Sequence, residues 1–230
     1  KNLLCGALTV AHHNPPHKCL FMPDFPVRVL RKYGWAHSLH FSSQVEIVRS
    51  YRATPPDVPW FIHLAEGTDE VAAGEYRRLK ALGCVGKNTV IVHGVGMIEE
   101  DITDAAGIVR GLVWCPSTNL YLLGKQPRIG WWRGPRCNIA IGSDSRLTSI
   151  GDLLDEVRWA RRAGGCDLDC IEQALSNRAA AILGIPQIAH LHPSAYADWC
   201  VYTNGSTART KRAALALVVR GGVPQIGDLD

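Results

Sequence analysis

The feature that most constrains the fold of this chain is a regular alternation of short apolar runs with helical stretches between them. The apolar runs predict strands at residues 58–62, 89–92, 111–115 and 138–141. Helical spacing and turn residues predict helices at residues 68–82, 98–110, 153–163 and 167–183. Strands and helices that alternate in this way form a parallel sheet or barrel through right-handed crossovers, so we assign the chain to the α/β class.

Each of these predicted strands runs into polar residues that can carry chemistry. They are His63, His93, the segment Ser117 to Asn119, and Asp144. Because parallel strands place their carboxyl ends at one edge, we expect these side chains to converge, as they do in the active sites of barrels. A lone histidine at such a place is more often a buried, hydrogen-bonded residue, but four polar strand ends in succession favour a site. Glu66 lies just beyond His63, and a carboxylate beside a metal-binding imidazole can move protons to and from a bound water.

Composition and charge exclude several classes of protein. The 230 residues are 47% hydrophobic, which is enough for one large domain, and the net charge of +4 is too scattered to indicate a nucleic-acid partner. No apolar run is long enough to span a bilayer and no secretory leader is visible, so no membrane partner is expected. Several of the 8 cysteines lie in apolar surroundings, and Cys166 and Cys170 lack the second cysteine pair of a zinc ribbon. We therefore expect reduced thiols and a cytoplasmic protein.

The two ends of the chain lack the regular alternation of strands and helices that its middle shows. Residues 3–11 are predicted to form a strand. The loop that follows contains His12, His13 and His17, and it is either a ligand cluster or a solvent-exposed loop. The remaining predicted elements are a strand at 35–41, a helix at 44–51, and strands at 198–202 and 214–219 that have no helix between them.

Two other segments have simple interpretations. Asp152, Asp155 and Glu156 precede a group of arginines on the predicted helix 153–163, an order that suits the helix dipole and predicts a solvated face. Residues 131–134, Trp-Trp-Arg-Gly, precede the strand at 138–141. Their aromatic rings could stack on a flat ligand or pack against a neighbouring subunit.

Four segments, in this order, resemble the amidohydrolase superfamily, and more narrowly its cytosine deaminase, triazine chlorohydrolase and guanine deaminase branch. They are His63–Glu66, His93–Gly94, Cys115–Leu120 and Ile141–Ser145. The predicted helix around residues 174–184 and the strands of the tail also resemble that family. The resemblance implies a (β/α)8 TIM-barrel-like fold, here incomplete because its first strand is missing. It places the partial barrel at residues 1–188 and the strands of a small composite β-sandwich at 189–230.

The resemblance also implies a role for each strand-end residue. His63 and Asp144 would bind one divalent metal, zinc or alternatively iron, and Asp144 would take a proton from the metal's water. Glu66 would be the proton shuttle and His93 would orient or polarise the attacked group. The remaining pair, Ser117 and Asn119, would bind the substrate. The implied activity is hydrolysis of a C–N bond, or a related C–X bond, in a small cyclic or amide-like molecule. The metal would lower the pKa of its water from about 15.7 toward about 7.

The sequence departs from the family at one important place. Members carry a His-x-His pair on the first barrel strand, and no such pair lies in the expected region here. His190 and His192 have that spacing but lie in the tail, where we expect a surface loop. The chain is therefore expected to be N-terminally truncated or shortened, and the alternative is a non-catalytic relative or inactive fragment that binds no metal. The retained set His63, Glu66, His93 and Asp144 favours the enzyme. An incomplete barrel has open strand edges, so a homodimer is also expected.

Overall fold

The computed structural model describes residues 1–12, 17–132, 138–203, 205 and 211–227. Its strands in chain order are β1 (Thr9–Val10), β2 (Arg28–Val29), β3 (Gly34–Ser38), β4 (Trp60–Leu64), β5 (Thr89–His93), β6 (Gly111–Trp114), β7 (Asn138–Ile141), β8 (Trp199–Tyr202), β9 (Leu215–Arg220) and β10 (Val223–Gly227). Its helices are α1 (Gln44–Ala53), α2 (Glu70–Ala81), α3 (Glu99–Ile108), α4 (Pro116–Leu123), α5 (Leu153–Ala163), α6 (Leu168–Leu175) and α7 (Asn177–Leu183).

The centre of the molecule is a parallel sheet of five strands in the order β3-β4-β5-β6-β7. A short parallel pair, β1 and β2, precedes it, and an antiparallel sheet in the order β10-β9-β8 ends the described chain. Sequential strands with helical crossovers are the pattern of a barrel, although no closed eight-stranded barrel forms within the described ranges. The structure confirms the predicted fold class, an incomplete barrel-like α/β unit followed by antiparallel strands.

The core lies where the parallel sheet meets its helices. Ile62, Ile91 and Leu112 from neighbouring strands are almost fully buried, and they belong to one cluster with Leu79 of α2 and Val157 of α5. Parallel strands that are covered on both faces need continuous apolar runs, which explains why these strands were visible in the sequence. Helices α1, α2, α5 and α6 begin at side-chain caps, and Ser43 of α1 and Asp152 of α5 each form a capping box.

Several local predictions were wrong. Residues 3–11 form a strand only at Thr9–Val10, because Leu3–Cys5 is a 3-10 turn that ends at Gly6 with a φ of 75°. The single helix predicted at 167–183 is two helices, and the break at Ser176 has a φ of −126° and a ψ of −104°. The helix α4, which begins with Pro116 in its first turn, was not predicted.

The cysteine prediction needs one correction. Cys166 and Cys170 form a disulfide, with their Cα atoms 5.5 Å apart, so the expectation of reduced thiols is wrong for this pair. Cys166 precedes Asp167, the cap of α6, and can therefore approach Cys170 in the first turn of that helix. The free cysteines of the described chain are Cys5, Cys19, Cys84, Cys115 and Cys200. Among the helices described, none is long and apolar enough to cross a membrane.

Gly111→Ala tests the close approach of β6 and β7, and Gly107→Ala serves as the comparison. A Cβ added at Gly111 would lie 2.4 Å from the backbone oxygen of Asn138 and 2.8 Å from the side chain of Ile182. Gly111→Ala should lower the free energy of unfolding by about 1–3 kcal/mol. Gly107 lies exposed in α3 and its added Cβ would meet nothing within 4 Å, so Gly107→Ala should raise that free energy by about 0.5–1 kcal/mol. Urea denaturation measures both, and equal midpoints for the two variants would contradict the packing.

Candidate metal and active site

Three predicted site residues converge at the carboxyl ends of the parallel strands. His63 is the penultimate residue of β4, His93 is the last residue of β5, and Asp144 follows β7. The two strands pair with Leu64 opposite His93, and the imidazole rings of His63 and His93 stack with their centroids 5.4 Å apart. One nitrogen or oxygen atom from each of His63, His93 and Asp144 lies within 4.8 Å of the other two.

The backbone at these strand ends is strained. Ala65, His93 and Asp144 have φ angles of 52°, 73° and 44°, in the left-handed region that residues with a Cβ rarely adopt. Among the described residues other than glycine, only Ala189 shares this property. Such conformations cost on the order of 1–3 kcal/mol each and cluster at functional sites, where surrounding contacts enforce them. The strain therefore marks the same strand ends as the polar side chains do.

Buried hydrogen bonds hold the loop after β4 in this conformation. The backbone N–H of Ala65 donates to Glu75 Oε2 at 2.6 Å, and its carbonyl accepts from the N–H of Gly96 at 2.9 Å. Burial raises the pKa of Glu75, and the hydrogen bond from Ala65 opposes that shift. The loops after β4 and β5 are thus joined, and this brings Glu66 Oε2 to within 3.5 Å of His93 Nε2.

A β-bulge fixes the tautomer of His63. The ladder between β3 and β4 shifts register at His37, between Ala36 and Ser38. His63 Nδ1 lies 2.8 Å from the backbone oxygen of His37. A carbonyl can only accept, so Nδ1 carries the proton and Nε2 keeps the lone pair that a metal requires. Bulges often lie next to active sites, where they redirect backbone or side-chain groups.

His93 is held from both sides of its ring. Its Nδ1 contacts Asn119 Oδ1 at 2.8 Å, and both residues are almost fully buried. Its Nε2 points toward Glu66, whose side chain is 31% exposed and can therefore exchange protons with solvent or a ligand. The arrangement combines a buried, oriented imidazole with a partly accessible carboxylate, which suits proton transfer.

The two residues predicted to bind substrate lie deeper than that role suggests. Ser117 is fully buried, and both its backbone N–H and its hydroxyl donate to the carboxylate of Glu156. Asn119 is fully buried against His93. Substrate binding by Ser117 and Asn119 stays a prediction. Glu156 and Asp152 are both buried, so the prediction that this group of acidic residues lies on a solvated face was wrong for these two.

The donor set fits a divalent cation. Two imidazole nitrogens and a carboxylate oxygen are typical zinc ligands, and catalytic zinc commonly takes three protein ligands and a water. Bonds of about 2.1 Å place tetrahedral ligand atoms about 3.4 Å apart, so these side chains need only small rotations to close on one ion. Carboxylates surround the site: burial is the main cause that raises the pKa of the Cys115 thiol, and the charges of Asp144, Glu156 and Glu66 raise it further.

A cavity of about 530 Å³ adjoins this site. His63, Cys115 and Asp144 line it, together with apolar residues from the strands such as Val92 and Val113. The volume lies within the range of small-molecule pockets, about 300–1,000 Å³. The site and cavity together can hold a small molecule beside the cation ligands.

The other histidines divide between the cavity and the surface. His12 lines the cavity, and its Nε2 is buried without a hydrogen-bond partner in the described chain. His17 is exposed, and His13 lies outside the described residues. His190 and His192 are exposed in a loop, as expected. Within the other segment considered above, Trp132 is buried, Trp131 lies under the guanidinium of Arg128, and residues 133–134 lie outside the described residues.

Sequence reasoning missed the buried carboxylates of Glu75 and Glu156. A signal for them exists, because each glutamate lies beside apolar residues on the buried face of an amphipathic helix: Tyr76 and Leu79 in α2, and Val157 and Ala160 in α5. A charged residue at such a position requires a buried partner. The bulge at His37 has no comparable signal, since it depends on how two strands pair.

No family model and no curated protein matches the chain. Several solved structures match it. An adenosine deaminase from Xanthomonas campestris with bound zinc superposes with a TM-score of 0.76 at 20% identity, over 90% of this chain and 54% of that chain. Atrazine chlorohydrolase from Arthrobacter aurescens, complexed with zinc, gives 0.70 at 17% identity, over 90% and 52%. An amidohydrolase from Brucella melitensis gives 0.67 at 19% identity, over 90% and 52%.

This chain spans about half the length of the structures that it matches. At identities of 20% or less, the likeness is one of fold. It extends over nine tenths of the chain, and the matched proteins include an adenosine deaminase, triazine hydrolases and an amidohydrolase. The predicted resemblance is thereby confirmed at the level of structure: the chain shares the fold of these solved structures.

Proposed function

We propose that this chain carries the metal site of an amidohydrolase-type hydrolase, which cleaves a C–N bond, or a related C–X bond, in a small cyclic or amide-like molecule. The observation that carries the proposal is the convergence of His63, His93 and Asp144 within 4.8 Å, with Glu66 beside His93. The solved structures that share the fold include zinc-bound hydrolases, which supports the same class of chemistry.

Each residue has a distinct role in this proposal. His63 binds the cation through Nε2, because His37 fixes its proton on Nδ1, and Asp144 supplies a negatively charged ligand. A bound divalent metal supplies a water that ionises near neutral pH. His93 lies in reach of the same point and orients the attacked group or completes the ligand set. Asp144 accepts the proton of the attacking water, and Glu66, the proton shuttle, protonates the leaving nitrogen.

Zinc is the proposed metal. Imidazole and carboxylate ligands suit zinc, and iron is the alternative that the same donors accept. At least three of the matched structures contain zinc. The expected homodimer, the absence of nucleic-acid and membrane partners, the cytoplasmic location and the division into domains at residue 188 stay predictions.

Metal content per chain tests the ligand assignment. Protein purified without chelators should contain about one zinc or iron per chain by elemental mass spectrometry, and His63→Ala should lose it because one of three ligands is gone. His190→Ala is the matched control, since His190 is exposed in a loop and is not one of the clustered ligand residues. Equal metal content in His63→Ala and His190→Ala would place the metal elsewhere. The absence of metal from all three proteins would favour the non-catalytic alternative.

Turnover tests the role of Asp144. Asp144→Asn removes the charge that binds the cation and accepts the proton, so hydrolysis should fall by about a thousandfold or more. Ammonia release from a panel of aminated heterocycles and ring opening of a panel of cyclic amides measure it, and circular dichroism checks that the fold is kept. Asp24→Asn, at an exposed position, is the control and should retain full activity. Unchanged hydrolysis in Asp144→Asn would refute the assigned role.

A further inference from the structure

We propose that Glu156 is a positioning residue of the metal site, which acts through Ser117 on the two segments that hold His93 and Asp144. The proposal rests on the function proposed above, because it concerns the geometry of the same ligands. In the described chain the hydrogen bonds of Glu156 go to Ser117 and not to the three ligands, although its charge also acts on Asp144. Its effect on the positions of the ligands therefore passes through Ser117, and Ser117→Ala tests that route because it leaves the charge of Glu156 in place.

Glu156 lies in α5 and is fully buried, as is Ser117. An ionised carboxylate in such surroundings is costly unless several hydrogen bonds satisfy it. Ser117 supplies two of them, because its N–H donates to Oε2 at 2.9 Å and its hydroxyl donates to Oε1. Burial raises the pKa of Glu156, and these hydrogen bonds counteract the shift. The pair is thus a buried polar junction with a defined geometry.

One branch of the junction leads to His93. Ser117 is in the first turn of α4, where backbone N–H groups lack partners within the helix and a negative charge is favoured by the helix dipole. Glu156 therefore caps α4 from a neighbouring helix. Asn119 belongs to the same turn, and its Oδ1 accepts from His93 Nδ1 at 2.8 Å. The position of α4 therefore determines the orientation of the His93 ring.

The second branch leads to Asp144. The hydroxyl oxygen of Ser117 accepts a hydrogen bond from the N–H of Ile150 at 2.9 Å, and Ile150 belongs to the loop between β7 and α5. In that loop Thr148 donates to Asp144 Oδ2 at 3.2 Å, and its hydroxyl lies 3.3 Å from that of Thr118 in α4. The first turn of α4 thus contacts the Asp144 loop at two points, one of which is Ser117.

Glu156→Gln should disrupt both branches with little change of volume. The carboxylate accepts on both oxygens, whereas a glutamine amide accepts on one and presents N–H groups from the other. The Ser117 hydroxyl accepts from Ile150 and donates its proton to Glu156, so an amide N–H facing it would remove the acceptor of that proton. Residues that orient metal ligands typically change metal affinity by about 10–100-fold when they are replaced.

Cobalt binding tests the proposal without any need for turnover. Co²⁺ accepts the same ligands as zinc, and its visible absorption reports the geometry of the site. The unaltered protein, Glu156→Gln and Ser117→Ala are titrated with Co²⁺ after metal removal. Both variants should show a dissociation constant raised about tenfold and an altered visible spectrum. The double variant should be no worse than either single one, because both substitutions break the same junction.

Asp101→Asn is the matched control. Asp101 is a buried carboxylate on α3 whose pKa is raised by burial, and it pairs with Arg77, not with the site. Its replacement removes a buried charge and the pair with Arg77, so it should change thermal stability but leave cobalt affinity and spectrum unchanged. This separates a positioning effect from a general change of stability.

The outcomes separate failure of this inference from failure of the proposed function. If the unaltered protein binds cobalt, and Glu156→Gln and Ser117→Ala bind it with the same affinity and spectrum, only the positioning role is overturned. Equal weakening in Asp101→Asn would overturn it as well. If the unaltered protein binds no cobalt, the proposed function fails and this inference fails with it. If Glu156→Gln does not fold, Ser117→Ala decides, because it keeps the carboxylate and removes only the bridging hydroxyl.

Discussion

The parallel pairing of β4, β5, β6 and β7 is the constraint on which the candidate site depends. Because these strands run side by side in sequence order, their carboxyl ends share one edge. The register pairs His63 with Val92 and Leu64 with His93, so strict alternation would place the two imidazoles on opposite faces of the sheet. The left-handed φ of 73° at His93, the last residue of β5, turns its ring so that it stacks on that of His63. The pairing of the strands and the strained backbone at their ends together therefore determine whether the three side chains can meet.

The convergence requires strained backbone at the strand ends, and buried glutamates stabilise that backbone. Glu75 on α2 accepts the N–H of Ala65, and Glu156 on α5 accepts the N–H of Ser117. In both cases a carboxylate on a helix satisfies a backbone donor just beyond the end of a strand. A buried hydrogen bond of this kind can hold the backbone in a strained conformation that the segment would not adopt by itself. Contacts of this type commonly preserve the geometry of binding sites.

Sequence alone predicted the parts of the fold that depend on continuous apolar runs. Strands β4 to β7 and helix α5 were predicted to within a few residues because their burial imposes a strong pattern. The break at Ser176 was missed because helical periodicity continues on both sides of it. The convergence at His63, His93 and Asp144 followed from the topology. The partners that orient them did not, because the bulge at His37 and the burial of Glu156 depend on contacts between distant segments.

The electrostatics of the pocket provide a reason for a cation that is independent of the ligand geometry. Cys115 is buried beside Asp144, Glu156 and Glu66, and its thiol stays neutral because burial and these carboxylates raise its pKa. A neutral thiol cannot act as the nucleophile or as a good metal ligand, so its sulfur is a packing group here. The negative charge of Glu156 is stabilised by two hydrogen bonds from Ser117. The charges of Asp144 and Glu66 face the imidazoles instead, and a divalent cation at that point would balance them while using the lone pair on His63 Nε2.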